Sequence, residues 1–466
     1  MSEHLNDLAL SPENVIIPPK QHPVREEDID PDALMVLYRL KDAGYSGYLV
    51  GGGVRDLYLG KKPKDFDIST DARPGQLRKL FRNSRTIGRR FRLVQVFFRE
   101  GKIIEVSTLR SQSEYDEDGD SDEVLPSNNT FGTLEEDACR RDLTINSLFY
   151  EVENKTVIDY VGGVQDLKNR IIRLVGDPDR RITRDPVRML RAVRHAARAG
   201  FTIEEATWQA IIRHRDKLEL CPTSRIRDEL LKDLQGGASR AWAELAMQSG
   251  LFYLLFPFYE KLLTETQGEL VKEELLSLLA VTDRIFSEGR TIGTVKFDEA
   301  LLFALLLQPW ATRRFNLSQE SIKEAGHHQT VKTVRAGLQK AFSRRLNLTK
   351  MTLDSIITLF VNSPALREGT SKGGGGLRRK SYFAACSRFV SCCHEAEGGE
   401  PVALSLFTCL QSEKKHRNRP EPAPQKIFFN PENSGRKNGG GYAPAFSSNP
   451  EGVFGLRQDG RNLLFS

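Results

Sequence analysis

The chain has 466 residues, 39% hydrophobic and 28% charged, with a formal net charge of +6. That length divides into two to four domains of roughly 100–200 residues, and no apolar run approaches the roughly 18 residues of a membrane span. Six cysteines without paired CxxC spacing exclude a zinc ribbon or a disulfide scaffold, and the first thirty residues carry no secretion signal, so a cytoplasmic location with reduced thiols is expected.

In chain order, residues 1–32 are rich in proline and charge and read as a flexible leader. From 33 to 175, short β-branched or aromatic runs ("YLV", "FDIST", "VQVFF", "KIIEVST", "TVIDYV") alternate with the amphipathic segments "PDALMVLYRLKDAG" and "PGQLRKLFRN", which predicts an α/β head. Beyond Val175 the periodicity is helical, giving a neck over 176–240 and a mostly α body over 241–410. The stretch Arg367–Lys380 and the Pro/Gly-rich tail, residues 411–466, read as flexible.

Charge is unevenly spread. Seven acids and no base lie between Ser113 and Glu123, so the rest of the chain is about +13 (6 plus 7). Nine arginines fall between Arg170 and Arg198, a surface suited to polyanions such as nucleic acid. The acidic run lacks the alternating Asp/Asn ligands of a calcium loop and is expected to be a surface loop.

Three clusters carry chemistry. Gly51, Gly52 and Gly53 follow "YLV" and precede a brief helix ended by Gly60, so backbone N–H groups gather at a helix start with Arg55 beside them, an arrangement that suits phosphate. Asp65 and Asp67 flank Phe66 in an extended run, which puts both carboxylates on one face. Such a pair can hold divalent metal, and nucleotide-adding polymerases use two magnesium ions about 3.5–4 Å apart to activate a hydroxyl and neutralise pyrophosphate. Glu105 in "KIIEVST" and Asp142 in "RRDLTINSLFY" both remain candidates for a third carboxylate. Arg140 and Arg141 could brace a triphosphate or form an ion-pair network, and Asn146 could reach a ribose or a backbone group.

The helix "RDPVRMLRAVRHAARAG" has Asp185 as its expected N-cap, Pro186 at the first position and Gly200 as its end. Val187, Leu190, Val193 and Ala197 form a packing stripe; Arg188, Arg191, either Arg194 or His195, and Arg198 form a second. An aspartate with an arginine three residues on can accept from the amino group of adenine or cytosine and donate to the adjacent ring nitrogen, a polarity that guanine and uracil reverse.

Together "LVGGGVRDLYLGKKPKDFDIST", "EEDACRRDLTINSLFY", "DYVGGVQDLKNRIIRLVGDP" and "RDPVRMLRAVRHAARAGF" resemble the class II nucleotidyltransferases, the bacterial poly(A) polymerases and tRNA CCA-adding enzymes, over about residues 33–240. The resemblance implies a nucleotidyltransferase head with a small mixed or antiparallel sheet, then an all-α neck and body that guide an RNA 3′ end. It also implies that Gly52 and Arg55 contact the triphosphate, that Asp65 and Asp67 hold Mg²⁺, and that Asp142 is a further acidic site residue. Arg141, Asp185, Arg188 and Arg191 would bind nucleotide. The run "TIGRRFRLVQVFF" is similar to the poly(A) polymerase branch, which implies AMP transfer from ATP to RNA 3′ ends by a monomer, with RNA-decay proteins as partners. The alternatives are CCA addition to tRNA and a non-catalytic RNA-binding protein of the same fold.

Overall fold

A computed structural model describes residues 16–88, 92–111, 131–292, 297–342, 346–367 and 378–407. The acidic run, residues 368–377 of the stretch Arg367–Lys380 expected to be flexible, the tail and most of "GRRF" lie outside the described residues.

Eight strands form one sheet in the order β1-β8-β7-β2-β3-β6-β5-β4, with β1 at Ile16–Ile17, β2 at Gly47–Val50, β3 at Asp67–Thr70, β4 at Ser84–Ile87, β5 at Leu93–Phe97, β6 at Ile103–Thr108, β7 at Phe149–Glu151 and β8 at Thr156–Ile158. Only β3 and β6 run parallel; the other neighbours are antiparallel. A parallel pair needs a crossover, and the chain makes it through helix Pro74–Leu80 and the β4–β5 hairpin. β1 corrects the expected leader: Ile16 and Ile17 pair with Ile158 and Val157, and Val24 and Ile29 are buried, so ordered structure begins before residue 33.

Helix α1, Pro31–Asp42, starts where Asp30 accepts from the backbone N–H of Asp32 at 2.9 Å with Pro31 at the first position. Its buried Ala33, Val36, Leu37 and Leu40 fall on one stripe and cover the sheet. The glycine turn leads into α2, Gly52–Tyr58, through Gly51 at φ 72° and ψ −133°, a conformation that a side chain resists.

Past the sheet the chain is helical: α3, Pro178–Arg184; α4, Val187–Ala199; α5, Glu205–His214; α6, Thr223–Leu234; α7, Ser239–Ser249; then further helices to Phe383–Ala396. A two-residue parallel pair, Ile171–Ile172 with Thr202–Ile203, stitches the start of this region together. One apolar core runs from Val24 to Phe407, centred in the body on the fully buried Trp242, Phe252, Phe256 and Tyr259. The five described cysteines are free, and no described helix is long and apolar enough to cross a membrane.

Candidate active site

The parallel pairing of β3 and β6 sets Asp67 opposite Glu105. Neighbours in register share a face, so the carboxylate at the head of β3 lies beside that of Glu105, the third residue of β6. Asp65 and Asp67 are both exposed while Phe66 between them is buried, as the alternation predicts. Gln95, the register partner of Glu105 on β5, donates from Nε2 to Glu105 Oε1 at 3.0 Å and orients it. Asp67 stays open to solvent, yet partial burial, then the charges of Glu105 and Asp65, push its carboxyl up to about 6, with Arg141 alone opposing.

Among the described residues no three acidic, histidine or cysteine side chains form a ready-made metal cage. The donor set nonetheless suits magnesium, which binds hard oxygen and usually takes one or two carboxylates plus waters and substrate phosphates. Burial, then the charges of Glu105 and Asp65, disfavour the ionised form of Asp67, and a bound cation would relieve the part due to those charges.

The glycine turn lies against two arginines. A side chain on Gly51 would approach Arg141 Nη1 at 3.7 Å, and one on Gly52 would meet Arg55 Nη2 at 3.4 Å. Arg55 donates to Asp56 Oδ1 at 2.8 and 2.9 Å and to Asn146 Oδ1 at 2.6 Å. Arg141 is held by the buried Asp137, 2.8 Å from Oδ2, and reaches Ser69 Oγ on β3 at 3.3 Å. Arg140 takes the other oxygen of Asp137. The two opposing charges outweigh burial and keep Asp137 ionised. The double arginine is thus an ion-pair network tying helix Leu134–Cys139 to the strand that bears Asp67.

Asp142 joins a different cluster. Its Oδ2 accepts from Arg191 Nε at 2.5 Å. Burial would raise its carboxyl, but Arg191, then His195 and Arg188, hold it well below the usual range. Of the two candidates for a third carboxylate, the fold therefore brings Glu105 to the acidic pair and bonds Asp142 to α4.

On α4, Val187, Leu190 and Val193 are buried as expected. The arginine stripe divides. Arg188 donates to the carbonyl of Arg141 at 2.9 Å and Arg191 to Asp142, whereas Arg194 is 5% exposed and paired with Glu229 and Asp233 of α6. His195 takes the position facing Arg55 and Asn146, at 3.4 Å from each. Asp185 does not cap the helix with its side chain. The backbone carbonyl of Asp185 accepts from Arg188 N, and its carboxylate meets Arg225 of α6 at 2.8 and 3.0 Å and Arg188 Nε at 3.6 Å.

Sequence reasoning missed Asp137, Gln95, Arg225, Glu229 and Asp233. Asp137 precedes Arg140 and Arg141 at helical spacing, and Glu229 and Asp233 stand four apart within an apolar stripe, both readable signals. Arg225 carried none.

With this geometry in view, residues 47–173 match the family described as Poly A polymerase head domain, and residues 200–263 match the probable RNA and SrmB-binding site of polymerase A. The chain is 45% identical over 317 residues to poly(A) polymerase I of Salmonella typhi, covering 66% of this chain and 67% of that protein. It is 32% identical over 434 residues to the Haemophilus influenzae poly(A) polymerase I, covering 89% and 94%. The chain belongs to the poly(A) polymerase I family. Family members carry a catalytic head, which here is the eight-stranded sheet with its acidic strand ends. The fold is also that of the CCA-adding enzyme from Bacillus stearothermophilus crystallised with CTP, at 25% identity, a TM-score of 0.57 and 80% coverage of both chains. This chain and that CCA-adding enzyme thus share this architecture.

Proposed function

We infer that this chain transfers AMP from ATP to the 3′ end of RNA, without a template, and releases pyrophosphate. The observation that carries this reading is the confrontation of Asp67 with Glu105, joined by Asp65 and linked through Arg141 to the glycine turn.

The roles follow from position. Gly51, Gly52 and Arg55 receive the triphosphate, since the turn offers backbone N–H groups and the guanidinium lies against it. Arg141, clamped by Asp137, adds positive charge between that turn and β3. Asp65 and Asp67 would hold Mg²⁺, with Glu105 as the third carboxylate in place of Asp142. When bound, the metal supplies charge neutralisation at the phosphates and acidifies the attacking hydroxyl. The 3′ oxygen of the primer forms a bond to the α-phosphorus, the bond from that phosphorus to the α–β bridging oxygen breaks with its electron pair leaving on pyrophosphate, the hydroxyl proton passes to solvent, and the chain grows by one adenylate. Asp142 fixes Arg191, and Asp185 with Arg188 and Arg225 forms the polar group for reading the base. Contact with the body of the RNA falls to α5, α6 and the helices that follow, over residues 200–263.

The test is primer extension with RNA that lacks CCA, supplying ATP and CTP singly and together. Long heterogeneous adenylate tails support the reading. A stop after three added nucleotides, which the shared fold of the CCA-adding enzyme makes the specific rival, replaces it; no magnesium-dependent pyrophosphate release removes catalysis altogether.

A further inference from the structure

His195 bridges two parts of the molecule that the reaction must align. It belongs to α4, the helix that carries Arg188 and Arg191, yet its ring meets the head: Nδ1 lies 3.4 Å from Arg55 Nη1, and Nε2 lies 3.4 Å from Asn146 Nδ2. Arg55 Nη1 in turn donates to Asn146 Oδ1 at 2.6 Å, so the three side chains close a triangle.

The hydrogen bonding of this triangle is unbalanced. A guanidinium donates and accepts nothing, an amide nitrogen only donates, and a neutral imidazole has one donor and one acceptor. Turning the Asn146 amide over would place its NH₂ against the guanidinium at 2.6 Å, so its oxygen stays with Arg55. Asn146 therefore presents a donor to His195, and Arg55 presents another. The single lone pair of the ring is best used on the charged donor, because hydrogen bonds to charged groups are the stronger. That choice puts the ring proton on Nε2, where it confronts the Asn146 amide and lacks an acceptor within the triangle. The remaining donors await an oxygen that the protein does not supply inside the triangle. Burial, then the charge of Arg55, keep the imidazole neutral and so preserve the lone pair; Asp142 opposes this, and Arg194 and Arg191 on the same helix reinforce it.

We propose that His195 is a positioning residue for nucleotide binding: through Nδ1 it holds the Arg55 guanidinium in place beside the glycine turn and latches the phosphate-receiving helix α2 to α4. The latch makes the phosphate grip and the base-reading residues of α4 one rigid unit. The proposal rests on the nucleotidyltransferase reading, and goes beyond it by making phosphate affinity depend on a neck residue that touches no phosphate itself.

Two variants test it. His195→Phe keeps an aromatic ring but removes the acceptor; His195→Asn keeps an acceptor oxygen near the place of Nδ1 together with a donor. ATP affinity is measured directly by equilibrium titration with the full chain, and KM and kcat by primer extension, with thermal melting to confirm folding. His195→Phe is expected to weaken ATP binding and raise KM about tenfold, the scale of one hydrogen bond to a charged group, with kcat changed by no more than about threefold. His195→Asn should recover most of that loss. Wild-type affinity in His195→Phe overturns the latch, as does a loss in His195→Asn equal to that in His195→Phe. A wild-type chain that binds ATP but never extends RNA would defeat the enzymatic reading while leaving the binding comparison to decide the latch.

Discussion

Asp67 and Glu105 are register partners on the only parallel strand pair of the main sheet among the described residues, so their carboxylates share one face although they stand 38 positions apart in the chain. Asp142, by contrast, is bonded to Arg191 and shielded by it. The two acids should fail differently when neutralised. Glu105→Gln is expected to lower kcat by roughly 100-fold, about 2.7 kcal/mol of lost charge stabilisation, and to raise the magnesium concentration needed for half-maximal extension. Asp142→Asn should leave the magnesium requirement alone and raise KM for ATP, because the freed Arg191 loses its orientation. Magnesium titrations of both variants decide the assignment; the reverse pattern would return Asp142 to the metal-binding set.

Asp67 supplies a second prediction, read mainly in thermal stability. Its folded-state carboxyl lies at about 6, against 3.8 for the free group. A native state that binds the proton more tightly than the unfolded chain is favoured below the lower value and loses that advantage as pH rises through the higher one. At pH 8 without divalent ions the ionised carboxylate is a burden, so Asp67→Asn should melt at a higher temperature than wild type, and the gap should close as pH falls from 6 towards 4. Adding MgCl₂ at pH 8 should raise the melting temperature of wild type and leave the variant unchanged, while extension by the variant is abolished and RNA retention kept.

How much of this was legible beforehand depended on whether the signal was local. The glycine turn follows from three consecutive glycines, and the exposed Asp65 and Asp67 around buried Phe66 and the buried Val187, Leu190 and Val193 of α4 follow from side-chain periodicity within about ten residues; each stands where those local signals put it. The choice between Glu105 and Asp142 depends on strand order and a parallel register, which a crossover of more than thirty residues creates and no window reveals. Asp185 has the sequence of a helix cap, but Arg225, forty positions away, takes its carboxylate. The two-residue strand at Ile16–Ile17 is too short for alternation to register, so the proline-rich segment around it carries only the composition of a leader.

The buried cluster between α4 and α6 should be asymmetric. Arg194 serves two carboxylates, Glu229 and Asp233, and all three side chains are at most 8% exposed. Burial would raise Glu229, but Arg194 and Lys232 hold it below its ordinary value; burial pushes Asp233 up to about 7 despite Arg194. Arg194→Met strands the ionised Glu229 and is expected to cost about 3–5 kcal/mol in urea unfolding. Asp233→Asn replaces a group already close to neutral and should cost under about 1 kcal/mol near pH 6. Relative to wild type this variant should gain stability as pH rises through 7, since the raised carboxyl loses its native-state advantage over that range. A larger loss in Asp233→Asn than in Arg194→Met would mean that the arginine is shared the other way.

Nucleotide choice should depend on Arg225. Its guanidinium spans both oxygens of Asp185 at 2.8 and 3.0 Å, while Arg188 stands 3.6 Å from one of them. A carboxylate has about four lone-pair directions, so Asp185 can accept from a base amino group while Arg225 fixes its plane. Arg225→Ala removes the brace and not the reader. Asp185 would then turn freely, and the penalty for guanine, which depends on a donor meeting a fixed donor and an acceptor meeting a fixed acceptor, would relax. The expected result is an ATP-over-GTP ratio of kcat/KM reduced about tenfold, with the melting temperature near that of wild type because the Arg225 side chain is 41% exposed. Asp185→Asn should erode the ratio further, since its amide nitrogen can donate to a guanine oxygen. If both variants keep full discrimination, the base is read by groups other than the Asp185–Arg188 pair.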